Sequence, residues 1–366
     1  MATRSSHASN SGSLTRATRV GRQAVKYGLI ALAVMIVGRM LLSAAIGFWR
    51  AINPPPPPPP TVGFGTLPGI TFPEQNQHDQ PKNYRLETGL GNRLPELDVD
   101  RAKVFLMPQN PPNLLADQEA RQIAATYGFI FEPELLGSRV YRWTKTGSLN
   151  SSLEINLDNK NFNLETNYLS KPELITNTNR LPEEFEAVRR IKTFLDRADL
   201  LPTDIATSAG EVIFLKSLGG QLEEAFSLSD ADFLQINLNR SAVNGMYKMY
   251  SPEPEKGVIT AIISGVLSGQ DSIVALEYHY RPVDYIQVET YPLRSVKSAW
   301  QILQAGEGFI AQPNSGDEAV VREVVLGYYE DWFNNQDYLQ PIYIFRGDNN
   351  FVGYVPAIDP SWINQN

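Results

Sequence analysis

Residues 295–306, SVKSAWQILQAG, followed by VVREVVLGYY at 320–329, LQPIYIF at 339–345 and FVGYVPA at 351–357, decide how the folded part of this chain is read. Val296, Ala299, Trp300 and Leu303 stand at i, i+3, i+4 and i+7, one apolar face of a helix. Ser295 suits its N-cap and Gly306 its end. The three segments that follow are rich in β-branched and aromatic residues, and Gly347-Asp348-Asn349-Asn350 joins the last two as a hairpin loop. A helix leading into an antiparallel meander is predicted.

The same plan recurs upstream. Asp117 is placed to cap a helix through Tyr127, which Gly128 stops. Arg139–Lys145, Ser152–Leu157 and Phe162–Tyr168 then alternate apolar and polar residues, separated by Thr146-Gly147-Ser148 and Asp158-Asn159-Lys160-Asn161. Leu181-Pro182-Glu183-Glu184 opens another helix, with Phe185, Val188, Ile191, Phe194 and Leu195 as its core-facing stripe and Pro202 as its stop. Further strands are expected at Ala102–Met107, Val212–Leu215, Phe233–Leu238, Met246–Tyr250, Val258–Ile263, Ser272–Tyr280 and Val283–Tyr291. Runs of strands with isolated helices argue an α+β fold. It is read as two antiparallel-sheet domains, 99–220 and 221–366, each with one or two packed helices.

Ahead of them lies a different kind of sequence. Tyr27–Trp49 reads YGLIALAVMIVGRMLLSAAIGFW, long enough as a helix to cross a bilayer. Arg39 interrupts it and is read as snorkelling toward an interface. Arg4, Arg16, Arg19, Arg22 and Lys26 precede the segment, and Arg50 alone follows closely. By the positive-inside rule the N-terminus is expected in the cytoplasm and the rest outside the cell membrane. The rival reading is a signal peptide cleaved near Ser43-Ala44-Ala45. Residues 1–26 are expected to form a disordered basic tail, 27–49 a transmembrane helix, and 50–98 an extended stalk, with packing of 61–97 on the domain left open. Pro54–Pro60 within that stalk favour a polyproline II rod.

The 366 residues carry 32 Lys+Arg, 40 Asp+Glu, three His and no Cys. All seven basic residues of 1–73 stand there without an acid, so 74–366 holds a net charge of −15. Such a surface repels polyphosphate, and nucleic acid is excluded as a partner. Without cysteine there can be no disulfide, thiolate nucleophile or iron–sulfur centre.

Two segments carry a resemblance: YPLRSVKSAWQILQAG at 291–306 and VLGYYEDWFNNQDYLQPIYIFRGDNNFVGYVPA at 325–357, with an echo in EARQIAATYGF at 119–129. Together they resemble the helix–meander modules of extracytoplasmic bacterial regulators, the YycH/YycI-type and PepSY-like proteins. The resemblance covers under a quarter of the chain and implies a membrane-hung regulatory module. It supplies no catalytic residue.

Few residues suited to catalysis occur in recognisable patterns. A serine triad needs an imidazole base. His7 lies in the tail, His78 in the stalk, and His279 alone in an expected strand. No Gly-x-Ser-x-Gly elbow, Walker A loop or Gly-x-Gly-x-x-Gly fingerprint is present. Close carboxylates occur at Glu223-Glu224, Asp230/Asp232, Glu253/Glu255 and Glu330-Asp331, and are read first as solvated loop charge. Tyr328, Tyr329, Trp332 and Phe333, framed by Glu330, Asp331 and Asn334, form the candidate interaction surface, with core packing as the rival reading. No catalytic residue, metal site or small-molecule cofactor is assigned. The expectation is a single-pass, membrane-anchored, non-enzymatic interaction or regulatory protein of the cell envelope. Its partners would be the lipid bilayer and another envelope membrane protein. The alternatives are a carboxylate-based enzyme acting on glycan or peptide, and a passive cell-wall polymer binder.

Overall fold

The computed structural model describes residues 12–52, 58–75, 80–89, 91–97, 99–111, 113–147, 149–171, 181–267 and 269–364. His7, His78, the first eleven positions and Pro54–Pro57 of the expected polyproline rod lie outside them. The chain divides into two units, Met1–Pro59 and Pro60–Asn366. In the first, helix α1 runs Gly12–Ile52, 41 residues or about 62 Å. The tail expected to be unstructured through Lys26 is therefore helical from Gly12. Arg, Lys, Gln and Ala are good helix formers, and extending a formed helix costs far less than starting one. Every side chain from Arg19 to Arg50 is exposed.

The second unit is mixed α+β with two sheets and few helices. Its nine-stranded sheet is antiparallel throughout. In spatial order the strands are Glu134–Leu136, Val140–Lys145, Ser151–Asn156, Phe162–Thr166, Ile273–Tyr278, Ile259–Ser264, Phe233–Leu238, Glu211–Leu218 and Gln221–Glu224. Helices α2 (Ala116–Thr126) and α3 (Glu184–Asp196) contribute to one core with this sheet, through Ile123, Ala124, Val188, Ile191 and Leu195. Tyr127 stacks on Phe194 with ring centroids 4.0 Å apart. The sequence boundary at 220/221 falls inside this sheet, in the Gly219-Gly220 turn of its last hairpin. Both glycines there have positive φ.

Two details of the helices depart from expectation. α2 starts one residue before Asp117, so the aspartate sits in the first turn and complements the helix dipole rather than capping it. Phe185 is 76% exposed, because the buried stripe of α3 begins at Ala187 and Val188.

The eight-stranded sheet runs Asn83–Leu86, Glu318–Tyr329, Tyr338–Gly347, Val352–Pro356, Phe309–Gln312. Arg101–Leu106 joins it beside Asp284–Pro292 and the start of Tyr338–Gly347. The meander is antiparallel as expected, but Asn83–Leu86 and Met249–Tyr250 add to Glu318–Tyr329 in parallel. Ser295 caps α5 (Val296–Gln304) by accepting from the Ser298 N–H. The helix lays Val296, Ala299, Trp300 and Leu303 against Val321, Phe345 and Val355 on one face. The opposite face, with Phe309, Tyr329, Ile342, Ile344 and Tyr354, is covered by Ile70 and Phe72. Covering on both sides explains why Leu339–Phe345 is buried without alternation.

That cover comes from residues read as stalk. Thr61 exchanges hydrogen bonds with Thr290, each backbone N–H donating to the other's Oγ1 at 2.9 Å. Leu67 is fully buried, donates from N–H to the Trp362 carbonyl and accepts from the Asn364 N–H, both at 2.8 Å. Phe72 stacks on Phe309 at 4.9 Å. From Thr61 on, the segment is a strap that completes a core. Leu67→Ala should therefore cost about 2–5 kcal/mol in urea unfolding of the full chain in micelles. A cost under about 0.5 kcal/mol, normal for surface positions, would show the strap to be an appendage.

Candidate functional site

The two sheets meet where three chain segments leave them. Arg240 lies just past Phe233–Leu238, Glu330 just past Glu318–Tyr329, and Arg281 in the crossover between the sheets. Arg240 has a fully buried side chain. Its Nε and Nη2 donate to the two oxygens of Glu330, at 2.8 and 2.7 Å. Nη1 donates to Asp204 Oδ2, and Nη2 also to the Arg281 carbonyl. The Tyr280 ring lies 4.2 Å from the guanidinium carbon. Asp204 stands on α4 (Thr203–Ala206), which follows α3 and packs through Ile205 in the nine-stranded sheet's core. Arg240 thus ties both sheets and α4 together. The two carboxylates hold its own charge firmly, pushing its pKa up despite burial.

Above this network opens a cleft of about 610 Å³, lined by Lys103, Phe105, Asp204, Ser241, Tyr280 and Tyr285 among others. Lys103 and Phe105 come from the eight-stranded sheet and Asp204 from α4. The Tyr285 hydroxyl donates to Asp204 Oδ2 at 3.1 Å, whereas Asp204 Oδ1 is buried with no hydrogen-bond partner among the described residues. Burial and the nearby Asp204 push the Tyr285 phenol up, while Arg240 pulls the other way. Lys103 Nζ donates to Asn244 Oδ1 at 3.1 Å. A second cavity, about 260 Å³, is lined by Glu211, Lys248, Arg346, Glu330 and Trp332.

The aromatic cluster singled out in the sequence is largely interior. Tyr328 and Tyr329 do point to different faces of their strand, but both faces are covered. Tyr328 packs with Phe105 and Met249, Tyr329 with Phe309 and Tyr354, and neither is exposed. Trp332 is buried and stacks on His279 with centroids 5.1 Å apart, its Nε1–H unpartnered. Phe333 alone is exposed, at 60%. Asp331 holds their turn: Oδ1 accepts from the backbone N–H groups of Phe333 and Asn334 at 2.8 and 3.1 Å.

The paired carboxylates are engaged separately. Asp230 faces Lys216 at 3.5 Å and Asp232 accepts from the Ser217 N–H. Glu253 pairs with Lys256, Glu255 with Gln312, and Glu330 with Arg240. Glu223 and Glu224 lie on an edge strand. No group of three metal-ligating side chains occurs among the described residues. Arg240, Asp204 and Lys103 escaped the sequence reading. The one local sign was an arginine two residues past the end of the apolar strand FLQINL.

No protein-family model, curated protein or solved structure matches this chain.

Arg240→Met should destabilise the protein by about 3–5 kcal/mol at neutral pH, because it strands two buried carboxylates. A deficit under about 0.5 kcal/mol in urea unfolding would contradict this. Glu277 gives a pH-dependent test. His279, then Lys256, holds its pKa down from 4.5 to about 2. Its stabilisation is complete above the ordinary carboxylate range and fades as pH falls toward 2. Glu277→Gln should accordingly lose less stability than the parent chain between pH 5 and 2, and equal losses would remove the carboxylate from that role.

Proposed function

We propose that this chain is a single-pass, membrane-anchored protein of the cell envelope. Its β-rich unit lies outside the membrane and acts by binding another envelope protein rather than by catalysis. The observation that carries the reading is α1. Its stretch Arg19–Arg50 has an 18-residue window of mean hydropathy 2.4, none of it buried. Exposed in water, so much apolar surface would be strongly unfavourable; in lipid it is not. Arg16, Arg19, Arg22 and Lys26, ahead of the apolar run Tyr27–Trp49, favour a cytoplasmic N-terminus. A cleaved signal sequence fits the same helix. A membrane tether raises the local concentration of a weak binder, and residues 53–60 supply a proline-rich spacer for it.

Binding fits the site better than catalysis does. Glu330 gives both oxygens to Arg240, and Asp331 is spent on its own turn. The junction cleft combines aromatic walls with a few placed polar groups, the usual make-up of a recognition site. The resemblance of 291–306 and 325–357 to membrane-hung regulators supports a regulatory contact.

The test is topological. The full chain should stay in the membrane fraction through alkaline carbonate extraction, and protease added outside should digest the C-terminal unit. Changing Arg16, Arg19, Arg22 and Lys26 to Gln should yield a population with that unit protected. Release of the intact full-length chain by carbonate, or protection of the unmodified chain, would refute the assignment.

A further inference from the structure

The junction cleft presents charges of opposite sign, and each has unused capacity. Asp204 keeps Oδ2 for Arg240 and Tyr285, while its buried Oδ1 has no partner among the described residues. An ionised carboxylate can accept about four hydrogen bonds, and a buried oxygen without one is unfavourable. Arg240 is shared between Glu330 and Asp204, so one guanidinium faces two carboxylates and leaves the trio one net negative charge. Lys103 also lines the cleft and carries three donors. It has a neutral partner, Asn244 Oδ1, and no carboxylate pairs with it among the described residues. The same cleft is lined by Phe105 and Tyr285, edge to face with centroids 5.6 Å apart, together with Tyr280 and Val283.

A simple cation would gain at Asp204 but be repelled by Lys103, and a simple anion would meet the reverse. A dipolar molecule satisfies both. Aromatic walls select one with an apolar body, and the volume lies within the ordinary range of small-molecule clefts, about 300–1,000 Å³. We propose that this cleft binds a small zwitterion, an amino acid or short peptide with free ends. Its ammonium sits on Asp204, its carboxylate on Lys103, and its apolar side chain lies against Phe105 and Tyr285. The assignment rests on reading the cleft as a recognition site and names the chemistry of what it recognises.

Three probes separate the charges: L-phenylalanine, phenethylamine and 3-phenylpropionate, titrated into the full chain in micelles and followed by ligand-observed NMR. Phenylalanine should bind about tenfold or more tightly than either single-charge analogue, as expected for one added charge-assisted contact. Asp204→Asn should raise the Kd of phenylalanine and phenethylamine about tenfold and spare 3-phenylpropionate. Lys103→Met should weaken phenylalanine and 3-phenylpropionate and spare phenethylamine. Ala242→Trp fills the cleft without touching the ion network and should abolish binding of all three. If Asp204→Asn fails to fold, Lys103→Met and Ala242→Trp decide the matter. Equal affinities for the three probes, no binding of phenylalanine at about 10 mM, or binding that survives Ala242→Trp would each overturn the assignment. Capture of an envelope protein by a chain that fails these tests would leave the proposed function standing and remove this ligand alone.

Discussion

The arrangement of the second unit depends on one buried guanidinium. Arg240 is enclosed where two sheets converge, and it can be so only because Glu330, Asp204, the Arg281 carbonyl and the Tyr280 ring surround it. Removing a charge from water costs several kcal/mol unless geometry returns it. A hydrophobic side chain of equal volume could stabilise the fold as well, but would accept many packing angles. A planar fork with two-point bonding to Glu330 accepts few. The network is therefore read as fixing how the sheets meet, more than as adding net stability.

A second constraint is geometric. Tyr338–Gly347 is buried along most of its length, so its sheet needs a cover on each face. α5 supplies one. The other comes from the strap that begins at Thr61, docks by paired threonine hydrogen bonds and inserts Leu67 and Phe72. The β-rich unit thus begins at the end of the proline run in the sequence.

The local structure was legible where side chains repeat with a clear period. Val296, Ala299, Trp300 and Leu303 announced α5, and the alternation in 152–157 and 162–168 announced its hairpin. Phe233–Leu238 occurs with the expected ends. Short strands such as Asn83–Leu86 and Glu134–Leu136 gave no such signal, because at four and three residues their placement comes from the strand they join. Aromatic residues misled for a related reason. Tyr328 and Tyr329 would be half exposed on a sheet with one free face, and the second cover came from a Pro- and Gly-rich segment without helix or strand periodicity. The junction site was hidden most fully. Asp204, Arg240 and Glu330 are separated by 36 and 90 residues, and no spacing rule connects them.

The position of the cleft bears on what occupancy would do. Lys103 belongs to the eight-stranded sheet, Asp204 to the helix packed with the nine-stranded one, and the crossover carrying Tyr280 and Tyr285 links the two. A ligand held at both charges would bridge the same junction that Arg240 fixes from below. Its binding free energy would then add to the cohesion of the sheets in proportion to the logarithm of its concentration over Kd. Since Asp204 joins the cleft to the buried network, any rotation of its carboxylate toward a ligand also changes its grip on Arg240. The site and the joint share Asp204, so a ligand bound there and the Arg240 network would be thermodynamically linked, each biasing the other by the same free energy.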